Sequence, residues 1–481
     1  MKISIFNLSL LFLLISLITS CRTKQEVISL QPARKIIDEQ SKSLMVGFGV
    51  SDITPDLGKA PLPTKGFIKK KYRYTLAGYG RKRYARSIHD SLWARAVVFE
   101  KEQKRIGIVY LDLIGLHYNQ IEEMRRSVPK NLKIDYLIIG ATHNHEGPDT
   151  LGFWGRGLKS GIRNDYMHLL NKKVAQSLAL AVEKLEPAEV LVAQGSIKDL
   201  NLTTDLRLPI VIPDILTVMQ VKSGNTIIGN IVHWENHPEA LGKYNTAITS
   251  DFPHFIRDTL EKKYNAPAIY WSGSLGGLMA PNPVITIDNI EYHQGNFEYA
   301  EQFGRAVGNR AIQMLIEAKP LNTNRLALSH EIAFIRIRNW RFQLGSILGI
   351  LKRKLPKLTY VKTEVALFCL GDLHLQTIPG EIYPELVYGP LTSPPNADYS
   401  NAEKELPVIR ELMQGKYNLI LGLALDELGY IIPLNGWDNK KPYLGDRKFD
   451  SYGEELSPSR KFAKNLHEIV ERLNNIVNNN N

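Results

Sequence analysis

Apolar runs of strand length alternate along this chain with amphipathic stretches of helix length, and that alternation confines it to an α/β architecture. Runs bounded by turn residues read as strands at 96–99, 106–110, 134–141, 227–232, 268–271 and 365–377. A helical apolar period marks 166–185, 251–264, 298–318 and 461–477, and Thr249-Ser250-Asp251 offers a cap for the second of these. No sequence repeat is visible, and no internal linker rich in Gly, Ser or Pro divides the chain. At 481 residues it can bury a large core. The expectation is a single large domain over 44–477, with mixed β-sheets flanked by helices, and a frayed tail over 478–481.

The start of the chain reads as a targeting segment. Lys2 is followed by an apolar stretch over 3–18, too short and too close to the start for an ordinary membrane span. It ends in Leu17-Ile18-Thr19-Ser20-Cys21, which resembles a bacterial lipobox, so 1–21 is expected to be a lipoprotein signal peptide with Cys21 the lipidated first residue of the mature chain. A plain secretory leader that contains a cysteine is the alternative. Residues 22–43 are mostly polar and read as a tether. The expected location is extracytoplasmic and membrane-anchored. Arg22, where inner-membrane retention uses aspartate, points to the outer membrane if the cell is Gram-negative. Cys369 lies in the apolar run 366–370 and reads as a buried thiol, so no disulfide framework is expected.

The formal net charge is +11, with short clusters at Lys69-Lys70-Lys71, Arg81-Lys82-Arg83 and Lys352-Arg353-Lys354. No aromatic-basic array accompanies them, so nucleic acid is not an expected partner; a solvated surface or one facing anionic lipid fits. Asn339-Trp340-Arg341-Phe342, continuing through Leu344, Ile347, Leu348, Ile350 and Leu351, has the composition of a basic amphipathic helix able to lie on lipid. An ordinary helix packed on the core is the alternative.

The chemistry concentrates in His143-Asn144-His145-Glu146-Gly147-Pro148, which follows the buried strand read at 134–141. Alternation along a strand points His143 and His145 the same way, and two imidazoles followed by a Gly-Pro turn make half of a metal site. Two loop histidines without metal fit equally well. Three further segments add donors: Ser87-Ile88-His89-Asp90, Ile378-Pro379-Gly380-Glu381, and Gly429-Tyr430-Ile431-Ile432-Pro433. His89, His143, His145, Glu381 and Tyr430 would bind Zn2+ through N and O atoms with a position left open. Each also has a plain role: His89 a loop histidine, Glu381 a helix-capping carboxylate, Tyr430 a half-buried strand aromatic.

In these segments the chain resembles the neutral (non-lysosomal) ceramidases. The resemblance runs from Val46-Gly47-Phe48-Gly49-Val50-Ser51-Asp52-Ile53-Thr54-Pro55 to about Pro458. Gly78-Tyr79-Gly80 with Ile88-His89-Asp90 is similar to the family's entry segment, and Ala141-Thr142-His143-Asn144-His145-Glu146-Gly147-Pro148 to its ATHTHSGP segment. Ile378-Pro379-Gly380-Glu381 matches the family's IPGE, and Gly429-Tyr430-Ile431-Ile432-Pro433 the place where it ligates zinc through tyrosine. Asn236-His237-Pro238 and Thr249-Ser250-Asp251-Phe252-Pro253 resemble a further block. The resemblance implies a zinc-dependent amidohydrolase with His89, one of His143 and His145, Glu381 and Tyr430 as ligands. Where the family carries NxGDxSPN with its serine, this chain reads Leu275-Gly276-Gly277-Leu278-Met279-Ala280-Pro281-Asn282. Ala280 has no hydroxyl, so covalent catalysis there is ruled out, and the spacing promotes neither Ser272 nor Ser274. The family's β-sandwich extension is not part of the resemblance, which reads as catalytic domain alone.

The remaining mechanism is metal-activated water, with Glu146 or His237 as base or orienting partner; His237 equally fits a structural role in its turn. Three classes of function stay open. They are a zinc hydrolase of an N-acylated, lipid-like amide, a zinc hydrolase of a soluble amide or ester, and a metal-binding lipoprotein without turnover.

Overall fold

The structure is a computed structural model and describes residues 25–29, 34–38, 43–58, 66–277, 279–353, 355–356, 358–448 and 452–478. Three large mixed sheets, one of six strands and two of five, carry the fold among these residues.

All three follow one plan. In the first, Met45–Asp52, Trp93–Lys101 and Lys104–Leu111 pair antiparallel, and Tyr136–Ala141 joins parallel to Lys104–Leu111. In the second, Glu189–Ser196, Ile215–Ser223 and Thr226–Trp234 pair antiparallel, and Ala268–Ser272 joins parallel. In the third, the antiparallel strands are Leu326–Arg336, Tyr360–Leu370 and Leu373–Thr377, and the parallel one is Tyr417–Leu421. A parallel pair needs a crossover. It is supplied by helix Tyr118–Ser127, by helix Phe252–Tyr264, and by the short helices Pro384–Tyr388 and Ile409–Leu412. A long helix then follows each fourth strand: Asn164–Glu183, Phe297–Leu315 and Phe462–Asn478. The repeat absent from the sequence is therefore present in the topology. Strand order and direction recur, and neither requires the same side chains.

Burial explains why these segments take these forms. Every residue of Tyr136–Ala141 is buried, as its unbroken apolar run requires. In Asn164–Glu183 the buried positions Tyr166, Met167, Leu170, Val174, Ser177, Leu178 and Ala181 fall on one helical stripe. That helix lies close on strand Met45–Asp52 because Gly49 has no side chain; a Cβ there would stand 2.0 Å from the Ser177 carbonyl oxygen. One apolar cluster draws on all three sheets, with Phe99 from the first, Trp271 from the second and Phe368 from the third. The Phe99 and Phe368 rings pack at 5.7 Å, and those of Tyr110 and Trp271 at 6.3 Å.

Three expectations change. The run 365–377 is two strands, folded back at Gly371-Asp372 so that Leu370 pairs with Leu373. The segment read as a tether contains two strands, Val27–Ser29 and Arg34–Asp38, both paired antiparallel to Leu326–Arg336. The amphipathic stretch beginning at Asn339 is helical only over Trp340–Ile347, and Arg353 is buried against Asp426 rather than displayed. Residues 1–24, including Cys21, lie outside the described residues, as do 479–481. No helix among the described residues is long and apolar enough to cross a membrane. Cys369 is a free, buried thiol, as expected.

Candidate metal centre

The parallel pairs place their polar loops beyond the carboxyl ends of the strands, where open α/β sheets present ligand sites. His143 follows Tyr136–Ala141, His237 follows Thr226–Trp234, and Glu381 follows Leu373–Thr377, so each sheet contributes one residue. Backbone bonds tie the three sets of loops together. His145 N donates to Pro238 O at 3.1 Å, Gly276 N to Ile382 O at 2.8 Å, and Leu425 N to Ile139 O at 2.8 Å. Glu381 and Tyr430 are direct partners in a short parallel pair of strands.

The ligand nitrogens of His143, His145 and His237 lie within 4.8 Å of one another, and all three residues are buried. His143 Nε2 and His237 Nε2 each stand 3.3 Å from the same atom, Glu381 Oε2. His143 has φ +66°, a conformation that non-glycine residues adopt at a cost and that clusters at functional sites. Its Nδ1 lies 2.7 Å from the Ile114 carbonyl. A carbonyl only accepts, so Nδ1 carries a hydrogen, and that bond orients Nε2 toward Glu381.

This donor set fits zinc. Ligand atoms held tetrahedrally around zinc at its usual N and O distances are about 3.3 Å apart, which is the spacing from Glu381 to each of its two imidazoles. Beside this set, His145 Nδ1 and Nε2 are buried without a hydrogen-bond partner among the described residues, which leaves that ring open to a group entering the cavity.

The electrostatics agree. Burial, then the neighbouring His143 and His237, push His145 well below its ordinary range and leave a neutral imidazole. Burial alone would raise Glu381, but the His143 and His237 rings outweigh it and hold the carboxylate ionised. Burial, then the Glu381 charge, keep the Tyr430 phenol protonated, so phenolate ligation requires a cation in the same pocket. A cavity of about 380 Å³ opens onto His143, His145, Glu381 and Tyr430. Its other walls include Leu151, Phe153, Trp154, Phe342 and Leu456.

The structure brings His143, His145, His237, Glu381 and Tyr430 together and leaves two expected residues out. His89 has a side chain 39% exposed, stacks on Phe297 at 3.7 Å between ring centroids, and holds Asp90 at 2.9 Å. It follows a short strand that pairs with Ala247–Ile248, and it neither joins the three clustered imidazoles nor lines the cavity. Glu146 is turned from the pocket: its Oε2 takes Arg83 Nη1 at 2.9 Å and Asn245 Nδ2 at 2.8 Å. Ala280 sits in the strand Met279–Pro281, Ser272 Oγ donates to the Thr142 carbonyl at 2.8 Å, and both Ser272 and Ser274 are buried.

Two carboxyls were missed. Glu239 Oε2 lies 3.5 Å from His145 Nδ1, and Glu427 lines the cavity with its Oε1 accepting from Gly429 N. Glu239 stands just after Asn236-His237-Pro238 and was legible as part of that turn. Asp251, expected as a helix cap, is one, accepting from Phe252 N at 2.6 Å. It also accepts from Ala240 N at 3.1 Å, and so fixes the loop that carries His237.

Fold and centre together define an α/β protein with a buried imidazole–carboxylate–phenol cluster at the strand ends. No protein-family model matches the chain, and no curated protein sequence matches it. Among solved structures it is similar to neutral ceramidase from Pseudomonas aeruginosa, with a TM-score of 0.64 and 14% identity over 90% of this chain and 75% of that one. It is also similar to a ceramidase complexed with C2, with a TM-score of 0.65 and 14% identity over 91% and 75%. The chain has the neutral ceramidase fold.

Proposed function

We propose that this protein is a zinc-dependent hydrolase that cleaves an N-acyl amide bond, with a lipid-like acyl group as the preferred substrate half. The observation that carries this reading is the convergence of His143 Nε2 and His237 Nε2 on Glu381 Oε2 at 3.3 Å, beside Tyr430 and at the floor of an apolar-walled cavity. In this reading His143, His237, Glu381 and Tyr430 hold the metal. Zinc in such a site supplies a water of lowered pKa and polarises a carbonyl.

The chain's own residues do the rest. The walls built from Leu151, Phe153, Trp154 and Phe342 bind the acyl chain and exclude water. His145, neutral and backed by Glu239, is the imidazole placed to move a proton at its ring nitrogen. Glu427 faces the same cavity and offers a second oxygen for orienting a water. Asp251 and Gly78 position the His237 loop and the His145 ring. No serine takes part: Ala280 has no hydroxyl, Ser272 Oγ is spent on the Thr142 carbonyl, and Ser274 is buried and not among the residues that line the cavity.

The test measures metal content together with hydrolysis of ceramide and of simple N-acyl amino acids, with and without detergent. Hydrolysis lost on chelation and restored by zinc supports the reading. Stoichiometric zinc with no turnover on any N-acyl compound would replace it with a metal-binding, non-catalytic role. We further propose, from the lipobox-like 17–21 segment, that Cys21 is lipidated and holds the protein at an extracytoplasmic membrane face.

A further inference from the structure

The helix Trp340–Ile347 has two faces with different surroundings. Phe342 is buried, lines the cavity, and packs on Phe153 at 6.4 Å between ring centroids. On the other face Trp340 is 61% exposed, Leu344 42% and Ile347 62%, with Leu348 at 45% just beyond. These positions share one helical stripe. Soluble surfaces rarely gather large apolar side chains this closely without a partner. Beside them, Leu158 is 69% exposed in the loop that also supplies Phe153 and Trp154 to the cavity. The two segments are in contact, since a Cβ at Gly152 would stand 2.2 Å from the Ile350 carbonyl oxygen.

A basic groove draws on the same loop and on Lys352, just past the helix. It is lined by Lys70, Lys71, Arg156, Lys159 and Lys352, all exposed, together with Arg73 and Arg163. Asp165, the acid among its lining residues, is ion-paired to Arg163. Thus two segments in contact, 152–160 and 340–352, supply a wall of the cavity, an apolar ridge ending in tryptophan, and part of a cationic groove. Apolar residues that enter the acyl boundary, a tryptophan for the headgroup level and cations for anionic lipid are the parts of an interfacial docking face. A second copy of the chain is a poorer occupant. A twofold contact through this face would set one cationic groove near its twin, and like charges oppose it.

We propose that this face docks on an anionic lipid bilayer, with Trp340, Leu344, Ile347 and Leu348 entering the interface and the groove holding lipid headgroups, so that the cavity opens toward the membrane. The inference stands apart from the catalytic reading, because it concerns which face meets lipid and not what is cleaved.

The experiment places an environment-sensitive fluorophore at Ile347→Cys or, as a control, at Ile316→Cys, a position 82% exposed at the end of another helix. The full chain is incorporated into phosphatidylcholine vesicles with or without phosphatidylglycerol, whose acyl chains carry a quencher. The unsubstituted chain, labelled alike, gives the background. The expected result is loss of fluorescence at 347 and not at 316, in the vesicles with phosphatidylglycerol, reversed at high salt as the charges are screened. A Lys70→Glu, Lys71→Glu, Lys159→Glu triple variant should lose the quenching while hydrolysing a water-soluble N-acyl substrate as the parent does. No quenching at 347, equal quenching at both positions, or quenching independent of phosphatidylglycerol would overturn the proposal. So would cross-linking of two chains through position 347 in place of quenching. Because depth is read without turnover, an inactive protein that still docks separates this proposal from the catalytic one.

Discussion

Gly78 makes room for the His145 ring: a Cβ at residue 78 would stand 2.4 Å from His145 Cγ and 2.5 Å from its Nδ1. Gly78 also has φ +92°, which side-chain-bearing residues rarely adopt. The two constraints coincide on a residue that lines the cavity, so the glycine is there for the position of the imidazole.

Gly78→Ala is expected to lower stability by about 1–3 kcal/mol from the backbone alone. It should lower turnover by more than the lost stability accounts for, because the ring must move. Denaturant unfolding and kcat measured on the same preparation check both. An unchanged kcat would mean that His145 tolerates displacement and carries no proton.

Chelation is expected to lower the thermal midpoint, and zinc to restore it, since a ligand that binds only the folded state stabilises it by mass action. His143→Ala, His237→Ala and Glu381→Ala should each deplete zinc from a purified stoichiometry of about one per chain, in keeping with a single site of this donor set. His89→Ala should leave zinc in place, because His89 stacks on Phe297 outside the cluster. Metal analysis of the four variants decides between the ligand set implied by family resemblance and the one the loops assemble.

The contrast between His89 and His237 shows what could be read from the sequence. The long helices at 164–183, 252–264, 297–315 and 462–478 and the strands before His143 and His237 were legible, because their apolar periods are local; the strand Tyr417–Leu421 before Tyr430 was not among those expected. Which side chains cluster was not legible. His237 was visible in Asn-His-Pro, but whether it meets His143 depends on how two sheets far apart in sequence set their loops against each other. Glu146 misled for a related reason. Strand alternation ends at Ala141, and with His143 at φ +66° the next carboxylate points to Arg83 instead of the cavity. The hairpin at Gly371-Asp372 escaped notice because apolar residues run through both of its strands.

Ser272→Ala and Ser274→Ala are expected to retain most activity. Ser272 gives up one buried hydrogen bond to Thr142 O, so a stability loss of ~0.5–1.5 kcal/mol is the main effect. An acyl group trapped covalently on either serine, detected by mass spectrometry, would contradict metal-activated water.

Glu364 provides an acid-stability marker away from the centre. Burial alone would raise its carboxyl, but the Arg125 guanidinium, with hydrogen bonds from His330 and Tyr136, brings it down to about 2. The folded pKa thus lies below the unfolded value of about 4.3. The pair's stabilisation is fully present above that value and is lost as pH falls from there toward 2. Glu364→Gln should cost about 3 kcal/mol at neutral pH, the low end for breaking a buried pair because Arg125 is partly exposed. The difference between variant and parent should shrink on acidification through this window, as followed by urea unfolding at a series of pH values.

Cys21→Ser is expected to release the protein from the membrane fraction or stall its processing. Retention at the membrane with normal processing would shift the burden of attachment to the Trp340–Ile347 face.

The threefold plan of the sheets has a consequence for how this protein can fail. Because His143, His237 and Glu381 come one from each unit, no unit alone carries more than one of the three. The centre exists only when all three are docked. A lesion in any one, however distant from the cavity, is therefore felt as dilution of the assembled state. The shared apolar cluster and the bonds between the loops therefore decide together whether the cavity is formed, so that loosening one sheet is felt at side chains the other two supply.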